Sequence, residues 1–331
     1  MSDEPPVLHL PAREIPVPGS VSAEAQAVII RGNTGPPYEF PPQPWPARED
    51  AEGWRSMAKG IDEALLRVYA LRPKDMGVDI EERRHEDALV YVARPPGDTP
   101  DDRRVLLDLH GGGFLLGAGE MCQITTAGAA VALGVTVWGV DYRMPPDHPF
   151  PAPLDDCVAA YRALLAEHEP SEIVLAGTSA GSNLAAATLL RAQDEGLPMP
   201  AGLVLRTPLV DMTLQSDSVN TNLGLDNVLV RHLGPLAEWY VGLHDPRNPY
   251  LSPIFGEFGP EWPPTLLTTG TRDILLSDTV RLHRALRRAG AHADLHVFEA
   301  AGHTVFMGAT PEDAEHRGVV RAFAEERWAA S

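Results

Sequence analysis

Cysteine is scarce: Cys122 and Cys157 are the two in 331 residues. That is too few for a disulfide framework and points to a reducing compartment. Basic side chains are also in short supply. With 46 acidic residues against 27 basic ones and a formal charge of −19, the average surface repels phosphate backbones and anionic lipid, so neither nucleic acid nor a membrane is expected as a partner. No apolar run is long enough for a bilayer span, since the most apolar stretch, AGAAVALGVTVWGV at 127–140, is short and broken by glycine. The opening residues, MSDEPPVLHL, place acids and prolines where a secretory signal needs a basic region and an apolar core. A cytoplasmic protein is the expectation. The histidines do not show the H-x-x-x-H spacing of a helical zinc site, since the one pair so spaced, His292 and His296, falls at a predicted strand, and no cysteine pair is nearby, so no metal site and no other cofactor is expected.

What is present is ordinary in bulk, with 44% hydrophobic and 22% charged residues, and compatible with a large buried core. The pattern along the chain is less uniform. Residues 1–48 carry Pro16, Pro18, Pro36, Pro37, Pro41, Pro42, Pro44 and Pro46 without a sustained period. Regular structure is not expected there, and the segment is assigned as an arm that contributes to a cap. Residues 49–84 form a cap helix and lead-in, with Trp54, Met57, Ile61, Leu65 and Val68 near helical spacing.

From residue 85 to 331 the pattern is β-α alternation. Strands are predicted at 88–94, 104–110, 135–141, 172–178, 202–208, 264–270 and 293–299, with helices near 122–133, 154–168, 180–195, 278–289 and 311–328. Such alternation specifies an α/β fold with a mostly parallel sheet covered on both faces. The rhythm breaks between 209 and 262, where an insertion at about 212–245 is expected to complete the cap over the catalytic domain.

Chemistry enters at EIVLAGTSAGSNLAAATLL, residues 172–190. A serine before a helix can simply cap it. Here Ser179 lies between Gly177 and Gly181, after a strand pattern and before a helix pattern, which is the setting of a nucleophile elbow. A serine hydroxyl needs a histidine base, itself oriented by a carboxylate. Asp273 and His303 each follow a predicted strand in a glycine-containing loop, and the order Ser179, Asp273, His303 is the one α/β-hydrolases use. Asp278 competes as the acid but falls where the next helix begins, so a first-turn role suits it better. Donors for the oxyanion are offered by HGGGF at 110–114, directly after a predicted strand, and by the N–H of Ala180 at the helix start.

These motifs, with DYRMPPDHPFPAPLDD at 141–156, TPLVDMT at 207–213 and NPYLSP at 248–253, resemble the bacterial, GTSAG-type branch of the hormone-sensitive-lipase-like esterases in the α/β-hydrolase superfamily. The resemblance extends from about residue 85 to the end. It implies an eight-stranded core under a helical cap, Ser179, Asp273 and His303 as triad, and oxyanion amides from Gly112, Gly113 and Ala180. His110 would then support the loop, and Asp141, Arg143, Asp155 and Asp156 the scaffold; family members are often homodimers. The expected activity is cofactor-independent hydrolysis of small, largely neutral carboxylic esters. Lactone, carbamate or amide cleavage shares the same oxyanion chemistry, and a ligand-binding member of the fold without catalysis is the remaining alternative. Candidate pocket residues are Phe40, Trp45, Met212, Leu214, Leu223 and Leu225.

Overall fold

The computed structural model describes residues 8, 14–34, 45–68, 72–97, 102–230, 232–308 and 310–330. Phe40 and most of the second proline cluster lie outside the described residues.

Eight strands form one sheet: β1 (Asp79–His85), β2 (Ala88–Arg94), β3 (Val105–Leu109), β4 (Thr136–Asp141), β5 (Ile173–Thr178), β6 (Gly202–Arg206), β7 (Thr265–Gly270) and β8 (Ala293–Phe298). Their order is β1-β2-β4-β3-β5-β6-β7-β8, with β2 antiparallel to both of its neighbours and every other pairing parallel. The register aligns one row of side chains, Trp138, Leu107, Leu175 and Leu203, across four strands. All four are buried on the side packed by α4 (Ala152–Glu167), α5 (Ala180–Glu195) and α8 (Leu276–Arg288). One residue back, Val137, Leu106 and Val174 form the opposite row and meet α3 (Glu120–Leu133) and α9 (Pro311–Ala329). Because side chains alternate, a slip of one residue would exchange the two cores, so these rows fix the register.

The seven strands and five helices expected from residue 85 onward are present, with ends within two residues of the expected ones. The sequence pattern alone misses β1. Its residues Asp-Ile-Glu-Glu-Arg-Arg-His make an exposed edge, with Glu81 pairing with Arg83 and Arg94, and charge on an edge strand discourages further pairing.

One expectation is overturned. The segment assigned as an arm without regular structure contains a helix, α1 (Ala23–Thr34), because no proline falls between Pro18 and Pro36. Val21, Ala25 and Ile29, four residues apart, pack against Phe298, Ala300, Ala301, Val305 and Phe306, the loop that carries His303. Ser22 fastens the start of this helix to Glu312 through its N–H (2.7 Å) and its hydroxyl (2.8 Å).

Helix α2 (Ala51–Val68) buries Trp54 between Trp45 and Trp239. Two shorter helices, α6 (Asp217–Thr221) and α7 (Gly234–Val241), lie between β6 and β7. Among the described residues no helix is long and apolar enough to cross a membrane.

Candidate active site

Ser179 sits between β5 and α5 with φ 57° and ψ −117°, a backbone conformation that costs a side-chain-bearing residue about 1–3 kcal/mol. The hydroxyl is not spent on capping, as it makes no hydrogen bond to the helix start. The glycines on either side are required by contact. A Cβ at Gly177 would lie 2.3 Å from the Gly181 carbonyl oxygen, and one at Gly181 would lie 1.9 Å from that of Leu109. Strand, turn and helix are therefore pressed together at backbone distance, and Ser179 is held at the tip by its N–H donating to Arg206 O at 2.9 Å.

The glycine run after β3 lies against this turn. A Cβ on Gly111 would be 3.0 Å from Thr178 O and 3.5 Å from Ser179 Cβ. Gly112 and Gly113 have φ of 115° and 62°, and a Cβ at Gly112 would meet Leu116 O at 2.2 Å. The Gly112 carbonyl is turned inward to accept from Leu115 (3.1 Å) and Leu116 (3.0 Å). Among the described residues the N–H groups of Gly112 and Gly113 meet no protein acceptor. As the first residue of α5, Ala180 has no carbonyl one turn back for its own N–H. Leu236 of α7 seats against Gly113, and Asp62 of α2 accepts from Gly117 N–H at 3.1 Å, so both helices touch this loop.

His110 anchors the base of the loop. Its ring stacks on Tyr142 at 4.1 Å, its Nδ1 meets Gly111 O at 2.7 Å, and the Tyr142 hydroxyl donates to His110 O at 2.8 Å. Burial pushes His110 down to about 4, so the ring is neutral and Nδ1 carries the proton it donates. Its role is support.

Asp273 and His303, at the ends of β7 and β8, meet directly. His303 Nδ1 lies 3.2 Å from Asp273 Oδ1, both side chains being buried. Thr269 Oγ1 donates to Asp273 Oδ2 at 2.8 Å and Leu275 N–H to Oδ1 at 2.9 Å, which fixes the carboxylate. Burial disfavours the charged imidazole, but the Asp273 carboxylate, and after it Asp226, outweighs burial and holds His303 above its ordinary value. Asp278, the competing acid, lies in the first turn of α8. It accepts from the N–H groups of Val210 and Asp211 and from the Ser216 hydroxyl, which ties the start of the insertion to the core.

The remaining sequence candidates divide. Asp156 is buried and takes a paired contact from Arg143 (Nη2 to Oδ1, 2.7 Å), while Asp141 accepts from Gly119 N–H at 3.1 Å. Asp155 reaches Arg191 at 3.7 Å. Trp45 stacks on Trp54, Met212 belongs to the main core, and Leu223 is exposed. Asn183 of α5, which no motif singles out, donates to Leu209 O and Leu251 O at 2.9 and 2.8 Å and pins two loops beside the serine.

His110, Cys122 and Asp141 are the three-donor grouping among the described residues, with ligand atoms within 4.8 Å of one another. Their chemistry fits a neutral support better than an ion site. Burial drives the Cys122 thiol well above its ordinary value, and the Asp141 carboxylate already accepts from Gly119 and from the Tyr91 hydroxyl.

The profile of a family described as alpha/beta hydrolase fold matches residues 106–307. An acetyl-hydrolase of Streptomyces hygroscopicus is 35% identical over 223 residues, or 62% of this chain and 74% of its own. Esterase LipI of Mycobacterium tuberculosis is 32% identical over 242 residues, 68% and 74% of the two chains. Among solved structures, esterase E25 aligns at TM-score 0.86 and 32% identity over 96% of this chain and 98% of its own. An esterase from the bacterial hormone-sensitive lipase family aligns at 0.77 and 30% over 93% and 99%. With the elbow, the glycine run and the eight-stranded sheet in place, the chain belongs to the α/β-hydrolase fold family, as a carboxylic ester hydrolase of its bacterial hormone-sensitive-lipase branch.

Proposed function

We propose that this enzyme hydrolyses small, largely neutral carboxylic esters through an acyl-enzyme formed on Ser179. The observation that carries the reading is the buried contact between His303 Nδ1 and Asp273 Oδ1. A carboxylate at Nδ1 keeps the proton there, which leaves the Nε2 lone pair as the base. His303 takes the Ser179 proton as the oxygen attacks the ester carbonyl, and the tetrahedral oxyanion is met by the N–H groups of Gly112, Gly113 and Ala180. The imidazolium then protonates the departing alcohol. Water repeats the sequence, releasing the acid and the free serine.

Two features support the substrate class. A formal charge of −19, with Asp226 and Asp273 buried around His303, disfavours an anionic ester near the site. Helices α1, α2 and α7 lie against the loops carrying His303 and the glycine run, and we assign them to a cap that restricts substrate size.

Ser179→Ala is expected to abolish turnover of a p-nitrophenyl ester and labelling by a fluorophosphonate probe in the folded protein. Retained turnover, or a wild-type enzyme that does not label at Ser179, would overturn the assignment. On a matched ester, lactone and anilide, the ester should be cleaved fastest.

A further inference from the structure

Asp226 is a buried acid beside His303 that the reaction above leaves unused. It lies in the insertion between β6 and β7, is 2% exposed, and gathers N–H donors from three stretches of chain. Oδ1 accepts from Val228 (2.8 Å) and Leu229 (3.0 Å) in its own turn. Oδ2 accepts from Ile274, the residue after Asp273, at 3.2 Å. Both oxygens accept from His303 N–H, at 3.2 and 3.1 Å. Every one of these partners is a donor. A proton on this carboxyl would have none of them to bond to and would displace one, so these donors and His303 favour the anion, against burial and the neighbouring Asp273 carboxylate, which push Asp226 above its ordinary value.

The loop it holds has two bonds of its own, from Val305 N–H to Gly302 O (3.2 Å) and from Met307 N–H to Thr304 O (3.4 Å), set against a strained backbone. Ala300, Thr304, Val305 and Met307 all have φ between 54° and 65°, a region unfavourable to side-chain-bearing residues and worst for branched ones such as Thr304 and Val305. Outside anchors must impose that shape. Helix α1 supplies apolar contact on the loop, Thr271 and Asp313 accept from the N–H groups of Ala300 and Phe306 on either side, and Asp226 supplies the polar bonds at His303 itself. Gly302 is what lets the turn so close, since a Cβ there would lie 2.3 Å from Asn227 Oδ1 and 3.1 Å from Asp226 Oδ1.

We propose that Asp226 is a positioning residue for His303: its bonds to the His303 and Ile274 main chains set the base against Asp273, and its charge steadies the imidazolium. This rests on the reading of His303 as the base. Asp273, from the loop after β7, and Asp226, from the insertion, are the charged groups that favour the protonated ring. Val21, just before α1, and Ala25 and Ile29 of α1, which pack on the loop, carry no charge. A cap residue thereby joins the catalytic machinery without touching substrate.

The test is Asp226→Asn, which keeps the shape, removes the charge and turns an amide NH2 toward N–H donors. The expected result is a fall in kcat of about tenfold or more, since a general base contributes about 10²–10⁴ in rate. KM should be nearly unchanged, and the acid limb of kcat/KM should move to lower pH. Asp211→Asn is the control for a merely structural role. That acid of the same insertion is buried but pairs with Arg281 and Thr213, so its loss should lower the melting temperature and leave the acid limb in place. A folded Asp226→Asn enzyme with wild-type kcat, or with an unmoved acid limb, overturns the proposal. If that variant does not fold, Asp226→Glu decides, because it keeps the charge and displaces the oxygens: kcat should fall with the acid limb at its wild-type position, and an unchanged kcat overturns the proposal. Fluorophosphonate labelling of wild-type Ser179 separates the two readings, since its absence defeats the serine mechanism whatever Asp226 does.

Discussion

Replacing Asp273 by asparagine isolates the charge that orients the base. Asp273 Oδ1 is 3.2 Å from His303 Nδ1, and unit charges at that distance in an effective dielectric of about 20 attract by roughly 5 kcal/mol. The neutral ring that acts as the base does not feel this attraction. It arises when His303 takes the Ser179 proton, so the loss falls on the transition state and appears in kcat. At about 1.4 kcal/mol per decade, the expected fall is about 10³- to 10⁴-fold. KM should scarcely change, because Asp273 is fully buried. The fold should survive as well. With its amide oxygen at the Oδ1 position, the asparagine keeps the bonds to His303 and Leu275, and its NH2 faces Thr269 Oγ1, which can accept in place of donating. The pH dependence gives a second reading with a definite sign. Carboxylates favour the imidazolium and raise His303 above its ordinary 6.5, so wild-type kcat/KM falls with acid through a pKa above that value. Removing the carboxylate lowers the pKa, and the acid limb moves down. Steady-state rates on a p-nitrophenyl ester from about pH 5 to pH 9, with a thermal melt of each protein, measure all three quantities. A variant within tenfold of wild-type kcat, or one whose acid limb stays put, would show that Asp273 does not act on the base through its charge.

Gly181→Ala would place a Cβ 1.9 Å from Leu109 O and 2.5 Å from His110 O, so β3 and the glycine run must retreat together. Activity should drop by at least about 10² with a lower melting temperature, and a soluble variant of wild-type activity would contradict the packing. Ile29→Ala opens a cavity between α1 and the His303 loop, at a cost of about 2–5 kcal/mol for a core site. Urea unfolding should show it, and kcat should fall more than KM rises if α1 holds the loop in shape. Arg143→Ala leaves the Asp156 carboxylate, 1% exposed, with the main-chain N–H of residue 143 as its remaining donor from that position. A buried acid stripped of its partner costs about 3–5 kcal/mol, and the partial exposure of Arg143 puts the expectation at the low end; an unchanged urea midpoint would refute it.

The parts legible in the sequence share one property: their signals are local. Gly177-x-Ser179-x-Gly181 and the three glycines from Gly111 each stand as a short contiguous motif, with Gly177 and Gly112 required by backbone of their own turns and Gly181 and Gly111 by the backbone of the facing segment, and the buried strands declare themselves by apolar runs. Asp273 and His303 are legible one step less directly, each by its place after a strand, and only the fold brings them to 3.2 Å. The strand β1 escapes because an edge is kept from pairing by charge, the reverse of the signal that marks a buried strand. Helix α1 is readable in principle. Val21, Ala25 and Ile29 repeat every four residues in a proline-free window, but the prolines on either side hide that window when the whole segment is weighed by its composition.

Asp226 is not readable in that way. LGLDNVLV contains one aspartate before a short apolar run, a pattern that any capped turn would produce. What sets it apart is that donors at 274 and 303 arrive at the same carboxylate, and those residues come from the far ends of two other strands. A residue that touches no substrate can still govern a base if it bonds to the base's own main chain. Positions of that kind carry no motif, because the constraint on them is the folded distance between other segments.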